Sequence, residues 1–205
     1  TLVVFPGGLA RDAVLCALPG VKGKMEGLGA NAMKWTSRYG SASIVSFEVA
    51  ATDGLNEKGL SVHELTLDKS EFGAPDARPA LPITHWAQYI LDNFATVNEV
   101  VEAHRAGTFR VAPAWSTDLH IPKELTGVHI AVQDPTGDSA IIEYVKGKLT
   151  IHHGAQFRVM TNDPSYDEML RRTKEYAAFG GTKPLPGDQD AEDRFVRLLA
   201  YYRYL

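Results

Sequence analysis

The sequence predicts an α+β fold, an antiparallel sheet of short strands bracketed by helices. Three observations predict it. Residues 128–160 are a series of β-rich runs separated by turn signals. Residues 41–67 show the same pattern around Asn56-Glu57-Lys58-Gly59. Apolar residues recur at helical spacing over 85–94 and from about 190, and a cap at Ser165 with a stop at Gly180-Gly181 marks a further helix.

The elements follow in order. Leu2-Val3-Val4-Phe5 reads as a short strand stopped by Pro6, Gly7 and Gly8. Residues 9–30, with Gly20, Gly23, Gly27 and Gly29, read as loop-rich. Residues 41–50 are β-rich, and the turn at 56–59 ends on Gly59, which suits positive φ because it has no Cβ. Residues 60–67 read as a strand from composition and flanking turns, with Leu60, Val62, Glu64 and Thr66 on one face. Residues 68–82 contain Pro75, Pro79 and Pro82 and read as a surface loop.

Thr84 is placed to cap a helix over 85–94, where Trp86, Tyr89, Ile90 and Phe94 form a core-facing stripe. Thr96-Val97-Asn98-Glu99 is a capping box that opens a second helix to about His104, ended by Gly107. Residues 128–133, 139–145, 149–153 and 157–160 read as an antiparallel meander. Asp134-Pro135-Thr136-Gly137 supplies its first turn. Ser165 is placed to cap a helix from 166 to about 178, ended at Gly180-Gly181. The last helix starts near 190, with Phe195, Leu198, Leu199 and Tyr202 on one face.

Composition narrows the function classes. The 205 residues fit one domain over 1–205, with 44% hydrophobic and 22% charged residues. A net charge of −4 argues against nucleic-acid or acidic-membrane partners, which need a basic face. The apolar runs are far too short for membrane insertion. Cys16 is the one cysteine, so no internal disulfide and no cysteine-rich zinc site is expected. His152 and His153 are strand neighbours and point to opposite faces, and His85, His104 and His129 show no ligand spacing. Neither a metal nor a cofactor is expected. The chain starts Thr-Leu-Val-Val-Phe-Pro, with no initiator Met and no signal peptide in view. Both ends read as incomplete elements.

Six segments, in order, resemble the choloylglycine hydrolase and penicillin V acylase family. They are residues 35–41 (WTSRYGS), 52–60 (TDGLNEKGL), 86–97 (WAQYILDNFATV), 137–144 (GDSAIIEY), 159–164 (VMTNDP) and 193–197 (DRFVR). The resemblance implies the αββα sandwich of the N-terminal nucleophile hydrolases. It implies hydrolysis of linear amides: conjugated bile salts, penicillin V or acyl-homoserine lactones. It also implies a small-molecule amide partner, a homo-oligomer (by analogy a tetramer) and a periplasmic or secreted location. The family's nucleophile is a cysteine exposed as residue one, whose own α-amine acts as base. That cysteine and the Arg-x-x-Asp-Trp segment after it have no counterpart in the sequence. The alternative is an inactive homologue that binds acyl amides or assembles with partners.

The resemblance assigns three site residues. Asn162 matches the asparagine whose amide donates to the oxyanion; apart from the resemblance it reads as an ordinary turn residue. Arg194 matches an arginine near the nucleophile. In the first turn of a helix a cation sits poorly on the dipole, which favours a role elsewhere. Thr66 falls where the family lines the oxyanion hole, in part through its main-chain N–H, and here only that backbone role carries over. Arg197 reads as a solvated or paired cation. Cys16, flanked by apolar residues without a basic neighbour, reads as a small buried hydrophobe. Thr1 aligns inside the first hairpin, past the family's nucleophile.

Overall fold

The computed structural model describes residues 1–13, 24–47, 49–121 and 127–204. Cys16 lies outside them. The strands are β1 (Leu2–Phe5), β2 (Ala10–Asp12), β3 (Lys34–Thr36), β4 (Ser41–Ser46), β5 (Ala50–Asn56), β6 (Ser61–Thr66) and β7 (Ala80–Pro82). Helices α1 (Ile83–Asn93) and α2 (Val97–Ala106) follow, then β8 (Arg110–Ala112), β9 (Val128–Gln133), β10 (Ser139–Val145) and β11 (Lys148–His153). Helices α3 (Tyr166–Thr173) and α4 (Ala191–Tyr204) complete the order.

The main sheet is seven-stranded, in the order β1-β4-β5-β6-β9-β10-β11. All its pairs are antiparallel. Among the described residues the two other sheets have two strands each, β2-β3 and β7-β8. The chain is α+β, as the sequence predicts.

Turn chemistry sets the registers. The Asn56 carboxamide oxygen accepts the Lys58 and Leu60 amides, and Gly59 turns at φ 83°. That closes β5 onto β6. Gly54 lets helix and sheet approach closely: a Cβ there would lie 2.5 Å from Leu91 Cδ1.

The two faces of the sheet bury different partners. Val62, Ile130, Val132 and Ile142 pack against Trp86, Ile90, Leu91, Val97, Val100 and Val101 of α1 and α2. The opposite face, through Ala131 and Ile141, packs on Tyr166 and Met169 of α3 and Phe195 of α4. The pairing register puts Leu2, Val4, Ile44 and Leu55 on this second face, where they stay exposed.

Several expectations change in detail. The first helix starts at Ile83 from an N-cap at Pro82, and Thr84 makes no cap. The segment before it is extended because β7 pairs in parallel with β8. Thr84 Oγ1 instead meets His85 Nδ1 at 3.0 Å. Thr96 caps α2, its Oγ1 accepting from the Glu99 amide, while Glu99 reaches past the cap residue to accept from the Ala95 amide, so only half of the predicted capping box forms. Ser165 makes no side-chain cap, and α3 ends at Thr173, followed by a short 3₁₀ turn over Ala177–Phe179. Residues 157–160 form no strand. Val159 is buried against Ala131, Ile141 and Phe195, so that apolar pattern reflects packing rather than a ladder. On α4 the buried residues are Phe195, Val196 and Ala200, while Leu198 and Tyr202 are exposed.

Asp92 ties the early loops to α1. Its fully buried carboxylate accepts from Arg11 Nε at 3.1 Å, Trp35 Nε1 at 2.7 Å and Gln88 Nε2 at 2.8 Å. Burial pushes its pKa up, opposed by Arg11, Trp35 and Gln88. Removing one member of a buried charged network typically costs about 3–5 kcal/mol. Asp92→Ala is expected to lose that much in urea unfolding.

His104 gives the fold a pH signature. Its Nε2 accepts from Trp86 Nε1 at 2.9 Å, so the proton sits on Nδ1, which donates to Val100 O at 2.7 Å. Burial lowers its pKa to about 4. Below about pH 6.5 the unfolded chain takes up a proton that the folded chain refuses, so stability falls as pH drops toward 4, by roughly 3 kcal/mol at most. Chemical denaturation across that window is expected to show the fall, and His104→Phe to flatten it.

Candidate active site

The site is built where β6 leaves the sheet. Leu67 N–H donates to Gly127 O on the β9 side. Main-chain groups alternate sides along an extended strand, so Thr66 N–H faces the β5 side. The β5–β6 register ends at Asp53↔His63, so Thr66 N–H has no partner in that ladder. Here the two strands part around a cavity of about 150 Å³, lined by Phe47, Ala50, Glu64, Thr66, Ile83 and Ile121 among others. The cavity wall is mostly apolar, and Glu64 is its buried carboxyl. Burial holds the Glu64 pKa well above the usual carboxylate range, with a smaller push from Asp53.

A second segment, 161–165, is strapped against this strand end. Asp163 accepts the Asp68 amide with both oxygens, Oδ1 at 3.0 Å and Oδ2 at 3.1 Å. Glu143 accepts the Tyr166 amide, the first of α3, with both of its oxygens at 3.0 Å. His129 Nδ1 lies 2.8 Å from Glu143 Oε1, and both side chains are fully buried. The segment is therefore held at one end by β6 and at the other by β10. Residues beside the Asp68–Asp163 contact also border a wide depression of about 510 Å³ next to α3. Its rim carries Lys69, Glu71, Lys146, Asp167 and Arg171. Mixed charge on an open surface gives it no evident chemistry.

Asn162 sits inside the strapped segment, half-buried. Arg194 Nη2 donates to Asn162 Oδ1 at 3.1 Å, and Arg194 Nε donates to Gln189 O at 3.0 Å. With its oxygen held by a guanidinium, Asn162 presents its NH₂ end outward as the donor. Thus Asn162 and Arg194 touch directly, and Thr66 lies two residues before Asp68, whose amide Asp163 holds. Neither Asn162 nor Arg194 lines the 150 Å³ cavity. Arg197 Nη1 donates to Pro186 O, as a structural cation. The Thr1 amine donates to Val45 O at 2.9 Å, at the edge of the sheet.

The comparisons fall on this geometry. The sequence matches the linear amide C-N hydrolases, choloylglycine hydrolase family, over residues 20–205. The chain belongs to that family. It is 40% identical over 185 residues to a penicillin V acylase from Pectobacterium atrosepticum, covering 86% of this chain and 48% of that protein. It is 26% identical over 198 residues to a bile salt hydrolase/transferase from Clostridium perfringens, covering 82% of this chain and 57% of that protein. The chain thus spans about half the length of the curated relatives it matches. The solved structure of penicillin V acylase from Agrobacterium tumefaciens superimposes with a TM-score of 0.79 at 40% identity, over 99% of this chain and 56% of that one.

Membership in the choloylglycine hydrolase family gives the α+β architecture its name, the N-terminal nucleophile hydrolase fold. Sequence reasoning missed Asp163, Glu143 and Glu64. Asp163 stood in the quoted string Asn162-Asp163-Pro164, and an acid beside a key turn residue was the available signal. Glu64 sat on a strand face with Leu60 and Val62, where a carboxyl is out of place.

Asp163 is the link whose loss is simplest to read. In Asp163→Ala the Asp68 amide loses its acceptor, and its hydrogen exchange is expected to quicken by about tenfold or more, while amides of α1 keep their protection.

Proposed function

We propose that this chain is part of a linear amide C–N hydrolase and carries the groups that stabilise the reacting carbonyl. The family supplies the reaction class. The observation that carries the assignment to residues is the Arg194–Asn162 contact, which orients a neutral amide donor outward. As a nucleophile adds to an amide carbon, negative charge grows on the carbonyl oxygen. We assign Asn162 Nδ2 and Thr66 N–H as the two donors that meet it. A fixed donor gains value as that charge develops and needs no reorganisation, which is the source of its effect on rate.

Arg194 has a positioning part: it holds Asn162 Oδ1 and adds a positive field beside the nucleophile. The nucleophile itself is assigned, from the resemblance, to a cysteine at a mature N-terminus. Its thiol attacks the carbonyl carbon and its α-amine takes the proton, then returns it to the departing amine. Water in turn hydrolyses the thioester. Cys16 is the one cysteine of these 205 residues, and its apolar flanks give it no basic partner in sequence. The acyl group is read into the apolar cavity beside Thr66.

The test is an assay of the whole gene product on penicillin V, a glycine-conjugated bile salt and an acyl-homoserine lactone. At least one is expected to be cleaved at its amide. No cleavage of any, with a cysteine confirmed at the mature N-terminus, would overturn the reading. In the active protein Asn162→Ala is expected to lower kcat about 10²–10³-fold, roughly 3–4 kcal/mol of barrier, with KM nearly unchanged.

A further inference from the structure

Glu64 is the feature of this molecule that the reaction above does not use. Its side chain lines the cavity beside Thr66 and is more than nine-tenths buried. Its Oε2 is shut off from solvent and has no hydrogen-bond partner among the described residues. Other buried acids here are satisfied: Asp92 by three donors, Glu143 by His129 and the Tyr166 amide. A buried polar atom without a partner is costly, and a leucine at this point of the sheet would pack without that cost. Thr52, Thr66, Asp68 and Thr84 also line the cavity, yet none of them bonds to Oε2, and Phe47, Ala50, Ile83 and Ile121 offer nothing polar from their side chains. The described residues supply no partner for Oε2, and the cavity is where one can enter.

We propose that Glu64 is a specificity-determining residue whose carboxyl donates a hydrogen bond to an acceptor oxygen in the acyl group of the substrate. This rests on the amide hydrolase reading. Glu64 and Thr66 share a strand face two residues apart, which sets them about 6.5–7 Å apart along β6. With the scissile carbonyl oxygen on Thr66 N–H, a hydrogen bond from Glu64 ends on an atom two or three positions into the acyl chain. The favoured class is then an acyl amide bearing an ether, hydroxyl or keto oxygen at that place. Its all-carbon counterpart is disfavoured because it leaves the acid unpaired. The high pKa of the buried acid keeps the donor proton in place at neutral pH.

A matched pair of substrates isolates the effect: phenoxyacetyl and 3-phenylpropanoyl amides of the same amine, which differ by one oxygen in place of one CH₂. The active whole gene product is expected to favour the phenoxyacetyl amide by about tenfold in kcat/KM, the scale of one hydrogen bond. Glu64→Leu is expected to cancel or invert that preference while still cleaving the phenylpropanoyl amide. Glu64→Gln, which keeps an N–H donor of similar shape, is expected to retain part of it. Glu64→Leu is also expected to raise Tm, since it removes the unpaired group, so a loss of preference is not a loss of fold. An unchanged ratio in Glu64→Leu, with both amides cleaved, overturns the role of Glu64 and leaves the hydrolase reading standing. Failure of the parent protein to cleave either amide overturns the role of Glu64, and the hydrolase reading falls with it only when penicillin V, the bile salt and the acyl-homoserine lactone are also left intact.

Discussion

Asp163 gripping the Asp68 amide with both carboxylate oxygens is the contact on which the site geometry depends. It fastens a loop from beyond the meander to the end of a central strand. Residues 66 and 162 are far apart in sequence, and closing so long a loop has an entropic cost that local contacts do not offset. The fold meets that cost with buried hydrophobic surface on both faces of the sheet. The acid then fixes the final placement, because a carboxylate accepting a backbone amide has a narrow geometry that an apolar contact lacks. Glu143 repeats the device at the start of α3. Between these two acids, Asn162 has little freedom.

The buried polar groups divide into two kinds. Asp92, Glu143, His104 and Gln88 are satisfied and hold elements together. Such groups contribute to a unique arrangement more than to raw stability, since each gives up hydration to make its bonds. Glu64 breaks the pattern by being buried and unpaired. Among the described residues Arg110 Nε, His129 Nε2, His152 Nε2 and Tyr166 Oη are also buried without a hydrogen-bond partner; Glu64 is the acid of that set and the member that lines the cavity beside Thr66.

Much of the fold was legible because turns carry strong local chemistry. Asn56 and Gly59, Thr96 and Glu99, and Asp134 to Gly137 each settle where the chain reverses, and the structure places elements on either side as the sequence predicts. Less legible were features made by distant partners. The pairing of β7 with β8 joins three-residue strands across two helices, and no local pattern announces it. Residues 157–160 look like a strand because their apolar residues are buried, yet they pack on helices. Asn162 and Arg194 were recognisable through resemblance, not through spacing, since 32 residues separate two side chains that touch. The Asp163 clamp was hidden for the same reason, with 95 residues between its partners. Periodicity reads neighbours along one element; these contacts join different ones.

The most direct measurement is a crystal structure of the active whole gene product with a tetrahedral phosphonate analogue of a phenoxyacetyl amide. The anionic oxygen is expected within about 3 Å of both Asn162 Nδ2 and Thr66 N, with Arg194 still on Asn162 Oδ1. An anionic oxygen held by other donors, with Asn162 turned away from it, would remove Asn162 and Thr66 from the oxyanion site.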